Sequence, residues 1–160
     1  FLNIYRATIS TNLRAFQYKI LHRVLANKRN LFVWGINQSD FCSFCHEHSE
    51  SSLHLFFECS ITTEFWRKVQ NWYRLITNLR VTLNKFNILL GLFLENTPAI
   101  DIVILAGKNY LYKCSTKNAS PYLCGYIEFL KTIKDTEQIV AYKNDKIQSH
   151  QAKWNELQYI

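Results

Sequence analysis

Between residues 42 and 59 the chain reads Cys-x2-Cys-x8-His-x4-Cys, with Cys42, Cys45, His54 and Cys59 as its fixed points. Two cysteines separated by two residues form a tight knuckle whose sulfurs converge on one ion, and a second pair completes a tetrahedron. Three thiolates and one imidazole suit zinc, and four protein ligands leave no open position for water. The spacing therefore predicts one closed, structural Zn2+ site rather than a catalytic one. His54 and Cys59 stand five positions apart, about 140° around an ideal α-helix, so they cannot point the same way from one regular helix. A short helix carrying His54 is expected to stop before Cys59, with Leu53, Leu55, Phe56 and Phe57 fixing the turn against the core. Three other readings stay open on spacing alone: core residues without metal, redox-active thiols, and His46 or His48 in place of His54. His46 and His48 lie in a polar stretch with Glu47 and Glu50, which favours solvent, whereas His54 lies among apolar residues.

Cys114 and Cys124, the other two of the five cysteines, read as small buried hydrophobes. An odd cysteine count with three clustered beside a histidine suits a reducing compartment with metal better than a disulfide framework. A chain of 160 residues, 48% of them apolar, can bury an ordinary core without help from a metal. No apolar run approaches the roughly 18 residues of a membrane span, and no basic region precedes an apolar signal segment. An intracellular protein with neither a membrane partner nor a small-molecule substrate is expected. The absence of Met, with an apolar start at Phe1, Leu2 and Ile4, reads as a fragment of a longer chain.

Only four Gly and two Pro punctuate the sequence, and alternating Val/Ile/Thr patterns are sparse, so a mainly α fold is expected. A compact helical domain would hold the CCHC knuckle, with residues 1–80 as the zinc-binding module and 81–160 as a helical C-terminal region packed on it. Leu13, Phe16, Ile20, Leu21 and Val24 recur at helical spacing from Thr11 to about Asn27, with Ser10 or Thr11 as N-cap. Lys19, His22 and Arg23 share the opposite arc. A second, shorter helix through Leu31, Phe32, Val33, Trp34 and Ile36 is expected to pack under the metal site. Thr62 or Thr63 caps a helix to about Thr77, with Phe65, Trp66, Val69, Trp72, Tyr73 and Ile76 inward and Arg67, Asn71 and Arg74 outward. A short buried helix is expected over Asn84 to Leu94, broken near Gly91. Pro98 sits in the first turn of the next, whose inner face is Ile100, Val103, Ile104, Gly107, Leu111 and Cys114. Ser120-Pro121 opens another, with Tyr122, Tyr126, Phe129, Leu130, Ile133 and Val140 inward. A last amphipathic piece runs from about Asp145 to Leu157 and carries Trp154.

The net charge is +7, which makes a polyanion a plausible partner. Ten basic residues face five acidic ones within residues 1–80, so the excess lies on the zinc-bearing side. Lys19, Arg23, Lys28, Arg29, Arg67 and Arg74 are the candidate contacts to RNA or DNA phosphates. A second reading makes the chain a scaffold that docks a protein through an apolar patch, supported by its 15% aromatic content. A zinc-dependent hydrolase would need an open ligand position and a nearby general base.

The stretch Phe16 to Leu25, then Trp34-Gly35-Ile36, the Cys42/Cys45 pair, Glu50, the His54-Leu55-Phe56 run to Cys59, and Phe65-Trp66 resembles the zinc-binding domain that follows the polymerase in non-LTR (LINE-type) retrotransposon reverse transcriptases. The resemblance is strongest over residues 12–75. Gly91-Leu92 and the Tyr110 to Cys114 stretch resemble the helical tail of such proteins more loosely. Carried over, the family's metal ligands fall on Cys42, Cys45, His54 and Cys59. The resemblance implies a non-catalytic C-terminal module of a multidomain RNA-directed DNA polymerase, working in the cytoplasm and nucleus as a ribonucleoprotein beside the upstream polymerase domains and handling template or target. Eight residues rather than the retroviral four separate Cys45 from His54, so base reading of the retroviral kind is not implied. The paired aspartates that hold two catalytic metals in polymerases are absent, Asp40, Asp101, Asp135 and Asp145 all being isolated.

Overall fold

The computed structural model describes residues 2–91, 98–158 and 160. Its elements in chain order are α1 (Leu2–Ala7), α2 (Thr11–Leu21), α3 (Lys28–Val33), a π turn (His54–Glu58), α4 (Ser60–Thr77), α5 (Lys85–Leu90), α6 (Pro98–Thr116), α7 (Leu123–Lys143) and α8 (Ile147–Trp154), which ends in a 3-10 turn (Asn155–Leu157). No strand forms among the described residues, although an isolated antiparallel bridge joins Phe41 to Ser49 in the metal loop. The mainly α expectation holds.

Helix α6 is the axis of the molecule. It packs against α1, α2, α5, α7, α8 and the π turn, and Ile100, Ile102, Val103, Ile104, Ala106 and Leu111 are all but inaccessible to solvent. A helix buried around most of its girth needs apolar residues on every side, so the single inner face expected from its sequence is too narrow. Gly107 is required where it stands. A Cβ there would sit 2.5 Å from Cη2 of Trp66, so only glycine lets the indole of α4 approach the α6 backbone this closely. Lys108 is also fully buried, its ammonium donating to Gln17 Oε1 at 2.5 Å and to the Leu89 carbonyl at 3.1 Å.

Helix α2 begins as expected, with the Ser10 hydroxyl accepting from Leu13 N–H. It stops at Leu21, well short of Asn27. Arg23 turns left-handed at φ 59°, its N–H donates to the Ile20 carbonyl, and Val24 N–H donates to that of Lys19. That pair of bonds is the Schellman ending. It leaves Val24 exposed and buries Leu25 instead. Arg23 is therefore not stacked one turn above Lys19, and the expected basic face does not run along one helix.

Helix α3 departs from expectation more strongly. None of its residues is buried, and Phe32, Val33, Trp34 and Ile36 all face solvent rather than the underside of the metal site. Helix α4 opens at Ser60, earlier than Thr62 or Thr63 would cap it, and those two hydroxyls donate to the carbonyls of Cys59 and Phe57. Its inner face is Thr62, Phe65, Trp66, Val69 and Tyr73, with Ile76 exposed. Helix α5 covers Lys85–Leu90 behind an Asn84 cap and ends at Gly91 with φ 98°. It buries Ile88 while Phe86 is exposed, and Leu94 lies outside the described residues. Helix α7 starts at Leu123, later than Ser120-Pro121 implies, because Tyr122 is extended and shares its N–H and carbonyl with the Tyr110 hydroxyl. Tyr122 and Val140 are exposed, and Tyr126 and Leu130 carry the buried face. The polar slot on that face is Glu137, which accepts from Thr8 Oγ1, Ile9 N–H and Trp154 Nε1 and pairs with Lys153. Cys114 is buried as expected, but Cys124 is exposed.

Candidate metal centre

The knuckle is held by backbone geometry before any side chain is considered. Cys42 N–H donates to the His48 carbonyl at 2.8 Å, and His46 N–H returns to the Cys42 carbonyl at 3.0 Å. His46 takes φ 57° to close this turn, and Phe44 N–H points at Cys42 Sγ at 3.4 Å. On the far side, Ser51 Oγ accepts from His54 N–H and starts a short helix that widens at once into the π turn. Cys59 N–H donates to the His54 carbonyl at 3.0 Å, the i→i+5 bond of a π turn. The wider turn brings residue 59 back over residue 54. Cys59 itself is extended at φ −63°, ψ 133°, so the helix interruption expected before Cys59 is present, by a route the sequence did not predict.

The result is a compact donor set. One ligand atom from each of Cys42, Cys45, His54 and Cys59 falls in a group within 4.8 Å of one another. Cys42 Sγ lies 4.0 Å from Cys59 Sγ, and Cys45 Sγ lies 3.3 Å from His54 Nε2. Zn–S bonds near 2.3 Å and Zn–N bonds near 2.0–2.1 Å at tetrahedral angles require edges of about 3.4–3.8 Å, so the four residues fit one zinc ion. Cys42, His54 and Cys59 are buried and Cys45 is half-buried. His46 and His48, the alternatives to His54, are exposed and stand outside the cluster, with the His48 ring edge-on to His54 at 5.4 Å.

Electrostatics prepare the donors. A hydrogen bond from the Cys42 thiol and the Ile61 and Thr62 N–H groups at the start of α4 bring Cys59 down to about 7 against the opposing effect of burial, whereas Cys42 is driven up by sharing its proton with Cys59. A thiolate at a helix N-terminus is favoured by the aligned amides. Burial lowers the His54 pKa and keeps the imidazole neutral, the form that ligates.

Glu50, which shares the polar stretch of His46 and His48 in the sequence, does not share their exposure. It is 1% exposed, and no cation pairs with it among the described residues. Its carboxylate accepts from Lys28 N–H at 3.1 Å, Ser43 N–H at 2.9 Å and Ser115 Oγ at 3.0 Å. Its backbone carbonyl accepts from Arg29 N–H. The start of α3, the knuckle and the end of α6 thus meet on one side chain. The π turn is tied to the core from its other end, since Trp66 Nε1 donates to the Phe56 carbonyl at 2.7 Å and the same indole covers Gly107.

The six candidate phosphate contacts separate into groups. Arg23 and Arg29 line one groove of about 690 Å3 between the end of α2, α3 and the entry to the π turn. Lys19 is exposed on α2, and Lys28 is half-buried at the first turn of α3. Arg74 is exposed on α4. Arg67 is engaged by a two-pronged fork to Glu64, at 2.6 and 2.7 Å. The groove also takes Asn30, Ser52 and Val33 as wall residues, which sequence reasoning did not pick out. Among the described residues no helix is long and apolar enough to cross a membrane.

Residues 2–66 match the family model described as zinc-binding in reverse transcriptase. No curated protein and no solved structure matches the chain. The matched stretch is under half of the chain, but it contains all four donor residues, Glu50 and, as its last position, Trp66. Residues 2–66 are thus similar to the zinc-binding domain of reverse transcriptases, with one structural zinc as the cofactor the donor set accommodates.

Proposed function

We propose that this chain is a non-catalytic, zinc-ordered module of a LINE-type reverse transcriptase that holds RNA or DNA for the neighbouring polymerase domains during target-primed copying. The observation that carries the reading is the union of a closed four-donor metal site with the start of α3, where Lys28 N–H and Arg29 N–H both end on Glu50. Zinc at this site sets the position of the basic surface and need not touch nucleic acid. The side chains of Lys19, Arg23, Lys28, Arg29 and Arg74 form no ion pair or hydrogen bond among the described residues, which leaves them available to phosphates. Arg67 would have to leave Glu64 first. Such a module works within a ribonucleoprotein in cytoplasm and nucleus, beside the upstream polymerase.

Binding of RNA to the zinc-loaded chain across a salt series tests this. Neutralising Z phosphates gives a log–log slope of about −0.9Z on duplex DNA and about −0.7Z on single strands, and a slope corresponding to several contacts is expected. Charge reversal at Lys19, Arg23 and Arg29 together should flatten it. Unchanged binding by that variant at moderate salt contradicts the assignment. A second reading, protein docking, draws on the five consecutive exposed residues Phe32, Val33, Trp34, Gly35 and Ile36. Docking alone predicts no salt-dependent nucleic-acid binding.

A further inference from the structure

The groove that holds Arg23 and Arg29 has features that phosphate contact alone does not require. Among the described residues no carboxylate lines it, and beside the two guanidinium groups its walls offer Asn30, Ser52 and the apolar Val33. Trp34 follows directly and lies one helical turn beyond Asn30, its N–H donating to the Asn30 carbonyl at 2.9 Å. Residues four apart share a helix face, so Trp34 leaves the end of α3 on the side of Asn30, directly after the groove-lining Val33, and it is 49% exposed. Large aromatic side chains are normally spent on burial. Here one is presented to solvent next in sequence to the wall of a groove whose two arginines have no ion-pair partners among the described residues.

Resting on the nucleic-acid reading above, we infer that this groove is a single-strand site, in which Arg23 and Arg29 take phosphates and Trp34 stacks on an unpaired base. A duplex keeps its bases stacked on one another and would leave Trp34 unused. Helix α3, at six residues, is about 9 Å long, too short to lie along a major groove and read base edges. Single strands combine a mobile backbone with free base faces, and proteins that hold them pair a cationic track with aromatic platforms in this way. The same wall is fastened to the metal loop, since Arg29 N–H donates to the Glu50 carbonyl and Asn27 Nδ2 to Ser52 Oγ at 3.0 Å.

The experiment is fluorescence-anisotropy titration of the full, zinc-loaded chain with a labelled oligo(U), oligo(dT) and a mixed-sequence DNA duplex of equal length, over a salt series. Four proteins are compared with the parent: Trp34→Ala, Trp34→Phe, Arg23→Glu/Arg29→Glu and, on α4 outside the groove, Arg74→Glu. Single strands should bind more tightly than duplex. Trp34→Ala should weaken single-strand binding by about 5- to 100-fold with the salt slope unchanged, and Trp34→Phe should restore most of it. Arg23→Glu/Arg29→Glu should reduce the slope on single strands by about 1.4, two contacts' worth, and Arg74→Glu should leave the single-strand preference in place. Circular dichroism of each variant separates lost binding from lost fold, all four positions being exposed. Equal affinity for duplex, or a neutral Trp34→Ala, overturns the single-strand site while nucleic-acid binding stands. Absence of salt-dependent binding to any of the three probes overturns both.

Discussion

Glu50 joins three parts of the protein that are far apart in sequence, accepting hydrogen bonds from Lys28 N–H, Ser43 N–H and Ser115 Oγ. A buried carboxylate is costly to desolvate, and it is retained where several donors depend on it. Glu50→Gln keeps the shape but turns an NH2 toward at least one of those donors. The variant should lose about 1–3 kcal/mol of stability in urea unfolding and still bind one zinc per chain, because residue 50 is not a ligand. Unfolding that coincides with the parent's, metal content being equal, would remove Glu50 from this role. The four donors were legible because ligand chemistry is local: thiolates and an imidazole at fixed spacing have few other uses. The burial of Glu50 is not legible, because a carboxylate between Ser49 and Ser51 has the composition of a solvent-exposed loop. Nothing local distinguishes a carboxylate that water solvates from one that three protein donors solvate.

At the scale of elements, most helices are readable from apolar spacing, α1 being the exception with no helix expected before Thr11, and helix ends are less legible. Asn84 and Ser10 behave as caps, and Pro98 opens α6 as its missing N–H allows. The end of α2 escaped because the left-handed position is filled by Arg23, where glycine would have signalled it. Left-handed backbone costs a residue with a Cβ roughly 1–2 kcal/mol, and glycine recovers that against its own chain entropy of about 0.5–1 kcal/mol. Arg23→Gly should therefore raise the thermal midpoint slightly, by up to about 1 kcal/mol in stability, while weakening RNA binding. A clear drop in midpoint would show that the guanidinium itself holds the turn together. Helix α3 was placed on the wrong side of the surface for a related reason. Its run of Phe32, Val33 and Trp34 reads as core, yet the segment is anchored through polar groups, with Asn27 Oδ1 accepting from Asn30 N–H and Glu50 taking Lys28 and Arg29. The π turn has no composition signal, and the spacing of His54 and Cys59 said only that a regular helix fails.

Across the whole molecule, the metal loop is attached to a core that α6 organises. Leu55 and Phe56 of the π turn belong to the same buried cluster as Leu13, Phe16 and Leu111, and Trp66 bridges that turn to Gly107. Helices packed on α6 bury enough apolar surface to keep much of their secondary structure without metal, whereas residues 42–59 depend on the four donors to converge. Zinc removal should thus loosen the loop, α3 and its groove first. The most direct measurement is the thermal unfolding midpoint of the full chain with zinc and after chelation. At free zinc a hundredfold above the dissociation constant, linkage gives about 2.7 kcal/mol, a rise of roughly 5–10 °C for a chain of this size. That rise should vanish in Cys59→Ala. An identical midpoint with and without zinc, matched by Cys59→Ala, would contradict a structural metal centre at Cys42, Cys45, His54 and Cys59.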